Sequence, residues 1–175
     1  SPVRTTVLGR AVDASAYRIT EADQPGELQV DKLIDHGVQP GPCYGQLKRG
    51  EDIPLDNGTV LRSADFVGPP QPGPDIVLFG DTRFVPGHAD FAAGADLMVH
   101  EATYGPEYPD KAQKYFHSTT TQAAELARQA RVKKLVLTHF SARYDTDEKL
   151  AELLAGAQAI FPHTVLAADG ATIGL

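Results

Sequence analysis

The pattern of apolar and polar positions divides the chain into three regions. Val3 to Leu8 and Ser15-Ala16-Tyr17-Arg18-Ile19 are β-rich stretches close enough to pair, so residues 1–20 are expected as a strand hairpin. Residues 21–75 hold most of the Gly and Pro, including Gln39-Pro40-Gly41-Pro42 and the run from Gly68 to Pro74. Proline lacks a ladder donor and interrupts helices, so this region reads as an extended excursion with one short helix near Val30–His36. Residues 76–175 then alternate regularly. Ile76–Phe79, Asp96–His100, Lys134–Thr138 and Thr164–Ala168 are apolar runs of strand length. Between them lie helical stretches around Ala89–Ala95, after Ser118, and over Leu150–Ile160. In the second of these, Ala123, Ala124, Leu126, Ala127 and Ala130 recur at helical spacing. Strands alternating with helices imply an α/β fold, a sheet covered by helices.

Composition narrows this picture. The chain has 175 residues, one domain or a large piece of one, and 42% hydrophobic residues suffice for a core. No apolar run is long enough for a membrane helix, and no secretory leader is visible. Ser1-Pro2 passes straight into the first strand with no initiator Met, as in a chain that begins in mid-domain. The single cysteine, Cys43, excludes an internal disulfide and favours a reducing, cytoplasmic compartment. Having no His within a few residues, it lacks the setting of a catalytic thiol. With 16 basic and 23 acidic residues the net charge is −7, which argues against a general nucleic-acid binder but leaves room for a local basic patch such as Lys48-Arg49.

The candidate chemistry sits just after the apolar strands. Gly80-Asp81-Thr82 follows the first, His100-Glu101-Ala102-Thr103 ends the second, and His139-Phe140-Ser141 follows the third. His117-Ser118-Thr119 marks a helix start. Ligand sites in open α/β sheets gather beyond the carboxyl ends of strands, so Asp81, Glu101, His117 and His139 together form a metal and acid/base constellation. Singly, each has an ordinary reading: Asp81 as a turn or cap, Glu101 as a surface ion pair, His117 as a loop residue, His139 as a satisfied buried histidine. His100 faces away from Glu101, because neighbouring strand positions point to opposite faces. His36, His88 and His163 fall in polar or Pro-flanked loops and are assigned nothing.

Read in order, Phe79-Gly80-Asp81-Thr82-Arg83, His100-Glu101-Ala102-Thr103-Tyr104, His117-Ser118-Thr119-Thr120 and Leu137-Thr138-His139-Phe140-Ser141-Ala142-Arg143-Tyr144 resemble the ordered motifs of the ribonuclease Z family. Pro40-Gly41-Pro42-Cys43-Tyr44-Gly45-Gln46-Leu47-Lys48-Arg49-Gly50 resembles the GP-rich part of that family's flexible arm, and Ala16-Tyr17-Arg18-Ile19 the strand before it. The resemblance implies the metallo-β-lactamase fold, an αβ/βα sandwich, here only the C-terminal half plus the arm. It also implies a cytoplasmic, homodimeric, zinc-dependent endoribonuclease that trims the 3′ trailer of precursor tRNA, with two Zn2+ per complete site. Asp81 and His139 would be metal ligands, and His117 with Glu101 the proton-donating pair. Pro40, Gly41, Pro42, Lys48 and Arg49 would belong to the projecting, tRNA-gripping arm.

Two departures qualify the resemblance. The family's HxHxDH run does not occur in the chain, and counting back from Tyr17 by the family's interval reaches Arg10 where a metal-binding His is expected. A guanidinium offers zinc no free lone pair. A non-catalytic tRNA-binding or dimerisation module and a related metal-dependent phosphodiesterase therefore stand as alternatives.

Overall fold

The computed structural model describes residues 3–7 and 14–174; Arg10 lies outside them. The strands are β1 (Val3–Val7), β2 (Ser15–Thr20), β3 (Ile53–Pro54), β4 (Val60–Leu61), β5 (Asp75–Phe79), β6 (Leu97–Glu101), β7 (Lys134–Thr138) and β8 (Thr164–Leu166). The helices are α1 (Val30–Asp35), α2 (Pro42–Lys48), α3 (Ser63–Phe66), α4 (His88–Ala92), α5 (Pro109–Tyr115), α6 (Thr120–Ala130) and α7 (Asp147–Gln158). Two compact units result: Ser1–Thr20 with Pro74–Leu175, and Glu21–Gly73.

The first unit is built on a six-stranded sheet ordered β1-β2-β5-β6-β7-β8. The pairs β1–β2 and β2–β5 are antiparallel, while β5, β6, β7 and β8 run parallel. One sheet face turns Val77, Phe79, Met98, Leu135 and Leu137 into the core, where α6 packs between α4 and α7 and covers them with Ala123, Leu126, Ala127 and Ala130. The small alanine face lets α6 approach the sheet closely, and the burial of so many apolar groups is the main stabilising term. Arg18, inside the Tyr-Arg-Ile motif, plays a structural part. It forks onto the Asp75 carboxylate and donates to the carbonyls of Phe91 (2.8 Å) and Ala93 (3.0 Å). It thereby ties β2, the start of β5 and the end of α4 together. Helix α5 was not anticipated from the sequence. It buries only Ala112, so no apolar period marks it, and Pro109 supplies the preset φ of a first turn.

The second unit corrects the expectation of an extended excursion with a single short helix. It contains α1, α2, α3 and the β3–β4 ribbon, packed around Leu33, Val38, Leu47, Leu61 and Phe66. Pro42, read as a breaker, instead occupies the first turn of α2, where its missing N–H costs nothing. Polar anchors complete the unit: Ser63 Oγ donates to the Leu47 carbonyl (2.7 Å), and Tyr44 Oη donates to that of Val38 (2.9 Å). The backbone runs by Gly26 so closely that a Cβ there would lie 1.9 Å from the Gly68 carbonyl oxygen, which only glycine permits.

Candidate active site

Because β5, β6 and β7 are parallel neighbours, the residues that follow them share one edge of the sheet. Glu101 ends β6, Asp81 lies two residues beyond β5, and His139 follows β7 at once with φ 60°. A left-handed φ on a non-glycine residue is strained, and such strain concentrates where a side chain must be aimed. His117 arrives from a different direction. Phe116 closes α5 at φ 61°, and Thr119 opens α6 with a capping box, its side chain accepting from Gln122 N while Gln122 accepts from Thr119 N. His117 and Ser118 are held in the short link between these two caps.

The centre of the arrangement is the carboxylate of Glu101, whose side chain is 1% exposed. Its Oε1 accepts from the backbone N–H of Thr82 (3.1 Å) and of Ser118 (2.9 Å) and from His117 Nδ1 (3.0 Å). Its Oε2 accepts from the backbone N–H and the hydroxyl of Thr103, both at 2.9 Å. A buried anion is tolerated only when donors surround it, and here they do. The surface ion pair with a lysine, the ordinary reading of Glu101, is therefore corrected.

Around this carboxylate stand two histidines. Their rings stack 5.4 Å apart at 26°, and Thr103 Oγ1 lies 3.1 Å from His117 Nδ1 and 2.8 Å from His139 Nδ1. His139 Nε2 lies 3.5 Å from Asp81 Oδ2. His139 is half exposed, so its reading as a buried, satisfied histidine is also corrected. Asp81, His117 and His139 offer ligand atoms within 4.8 Å of one another, an oxygen and two imidazole nitrogens of the kind zinc takes. The donor set thus fits a metal in kind. In number it falls short of two zinc centres, since even a single catalytic zinc commonly uses three protein ligands.

Other sequence candidates fall elsewhere. Pro40, Gly41, Pro42, Lys48 and Arg49 belong to the second unit, with Lys48 and Arg49 exposed at the end of α2 and Arg49 Nε donating to Glu51 Oε1 (2.8 Å). His100 points into the core on the opposite face of the sheet from Glu101, tilted against Phe79 at 4.9 Å. His88, expected in a loop, is instead buried at the start of α4 and stacked on Phe79 at 5.5 Å. Burial pushes the pKa of His100 down to about 4 and that of His88 below its usual value. Sequence reasoning missed two residues of the network. In sequence Thr103 stands only as a motif position, and Ser118, whose Oγ donates to the Thr82 carbonyl at 2.7 Å, only as a helix start. Residue type alone gives neither a signal, because a hydroxyl that meets a carboxylate looks like any other Thr or Ser.

A family model described as a β-lactamase superfamily domain matches residues 49–140. Proteins named ribonuclease Z from Bacillus cereus (strain AH187) and Bacillus thuringiensis (strain Al Hakam) are each 47% identical over 167 residues, covering 95% of this chain and 54% of the relative. The chain therefore spans about half the length of the curated relatives it matches. Among solved structures, the metallo-β-lactamase fold protein YhfI from Bacillus subtilis aligns with a TM-score of 0.56 at 16% identity, over 95% of this chain and 46% of that one. Human tRNase Z, short form, aligns at 0.53 and 23% identity, over 98% and 42%. At such identities the likeness concerns the fold alone, which is that of the metallo-β-lactamases.

Proposed function

The chain belongs to the β-lactamase superfamily, and from that premise we propose that it forms part of a zinc-dependent endoribonuclease that removes the 3′ trailer of precursor tRNA. The observation that carries this reading is the network joining Asp81, Glu101, Thr103, His117 and His139 at the carboxyl edge of the sheet. The chain's similarity in sequence to ribonuclease Z supports the choice of substrate.

In this reading Asp81 and His139 hold metal. Zinc, when bound, polarises the phosphoryl group and activates water near neutral pH. The chain's own contribution is proton transfer. His117 donates its Nδ1–H to the buried Glu101, which fixes the ring. The opposite nitrogen, Nε2, is then the atom that delivers a proton to the departing ribose oxygen. Lys48 and Arg49 grip tRNA phosphates, as phosphate contacts position a nucleic acid without reading its sequence. A cytoplasmic homodimer completes the proposal and suits the lone Cys43.

The test is 3′-trailer cleavage by the chain supplied with a segment bearing the paired-His, Asp-His run. Asp81→Ala is expected to remove metal and cleavage together. His117→Ala is expected to keep metal while slowing cleavage by about 10²–10⁴-fold. Lys48→Ala with Arg49→Ala should weaken precursor binding and lower its salt slope by about 2, with hydrolysis of a small phosphodiester unchanged. Point changes are preferable to deleting the segment, because Leu47 belongs to the second unit's core. Undiminished cleavage in Asp81→Ala would end the proposal, and equal losses on both substrates in the Lys48/Arg49 variant would remove the arm from it.

A further inference from the structure

Thr103 Oγ1 is within hydrogen-bond reach of three functional side chains: Glu101 Oε2 at 2.9 Å, His139 Nδ1 at 2.8 Å and His117 Nδ1 at 3.1 Å. A hydroxyl has one proton and two acceptor lone pairs, so these contacts cannot be assigned freely. An ionised carboxylate only accepts, and Glu101 already receives three backbone N–H groups, from Thr82, Thr103 and Ser118. The threonine proton therefore goes to Glu101. Both hydroxyl lone pairs then face imidazole nitrogens, and each of those nitrogens must carry hydrogen.

We infer that Thr103 is a positioning residue that sets the tautomer of His139, placing the ring proton on Nδ1 and leaving Nε2, 3.5 Å from Asp81 Oδ2, as the nitrogen able to ligate. The same hydroxyl, with Glu101 Oε1, gives His117 a forked acceptor for its Nδ1–H. One buried threonine, 8% exposed, thus gears the candidate metal-binding histidine to the candidate proton donor. The consequence is physical. In the other tautomer His139 would turn an N–H toward Asp81 and would have to shed that proton before any metal could bind. Partners that fix a ligating histidine in this way commonly contribute roughly 10–100-fold in metal affinity.

The inference about the tautomer stands on hydrogen-bond geometry alone, whereas its effect on metal rests on the reading of Asp81 and His139 as ligands. Nitrogen-15 spectra of the imidazoles, recorded on the metal-free chain at a pH where both rings are neutral, should show His139 protonated on Nδ1. Thr103→Val, similar in shape but without the hydroxyl, should shift His139 toward the Nε2–H form, and Thr103→Ser should restore Nδ1–H. Zinc affinity by titration calorimetry should fall roughly 10–100-fold in Thr103→Val and return in Thr103→Ser. An Nε2–H signal for His139 in the unaltered chain overturns the inference, as does Nδ1–H persisting in Thr103→Val. Should Thr103→Val not fold, the unaltered chain and Thr103→Ser still decide the point from their ring signals. An unaltered chain with the expected tautomer but no zinc binding upholds the inference and counts against the metal reading.

Discussion

Glu101 shows how much one side chain can organise. Its carboxylate satisfies three backbone N–H groups that would otherwise be buried without partners. Exchange for glutamine keeps the shape but presents an NH2 group to donors on whichever side it is placed. Glu101→Gln is expected to destabilise the chain by about 2–4 kcal/mol, because a buried N–H then faces another donor. Asp81→Asn, at an exposed side chain, should change stability by less than about 0.5 kcal/mol. Urea denaturation of the two variants measures the contrast, and a Glu101→Gln cost as small as that of Asp81→Asn would show the network to be dispensable for folding.

At the level of elements, the capping box of α6 links stability to the site. The Thr119 side chain accepts from Gln122 N at 3.2 Å, and just upstream Ser118 N–H reaches Glu101. Thr119→Ala should therefore cost about 1–2 kcal/mol, toward the upper part of the range for a lost N-cap because the site is buried. Thr119→Ser, which keeps the accepting oxygen, should cost clearly less; urea midpoints for both decide it, and equal losses would mean that the methyl packing and not the cap matters. The cap of α6 was visible in the sequence as a Ser-Thr-Thr start before an alanine stripe. Helix α5 was not, since a short helix that buries one alanine has no periodicity to read.

Taken as a whole, the molecule is expected to lose stability in acid through its buried histidines. His100 is fully buried, with Nδ1 2.6 Å from the Glu101 carbonyl oxygen, which accepts its proton, and burial holds its pKa at about 4. In the unfolded chain the ring takes up a proton near pH 6.5, as an ordinary histidine does. Above that pH both states are neutral and its contribution to stability is fully present. As pH falls from about 6.5 toward about 4 the unfolded state binds more protons, so stability declines, by up to about 3 kcal/mol for this group. His88, lowered in the same direction, adds to the trend. Urea midpoints followed between pH 7 and pH 5, where most carboxylates stay ionised, should drop in the unaltered chain and less in His100→Gln. Parallel slopes for the two proteins would assign the acid sensitivity to other groups.

The sequence by itself determined the order and type of the strands β5 to β8 and of helices α4, α6 and α7, because apolar runs, helical alanine spacing and cap residues are local properties of the chain. It also placed Asp81, Glu101, His117 and His139 next to strand and helix ends. Only the tertiary structure decided what those residues meet. Parallel pairing of β5, β6 and β7 brings together groups far apart in the chain, and it buries Glu101 while leaving Asp81 and His139 open. The same holds for the second unit, whose core of Leu33, Val38, Leu47, Leu61 and Phe66 has no regular spacing in sequence, and for His88, which looked like a loop residue. Burial and hydrogen-bond partnership belong to the packed chain, and a short-range pattern cannot encode which distant donor will face a given carboxylate.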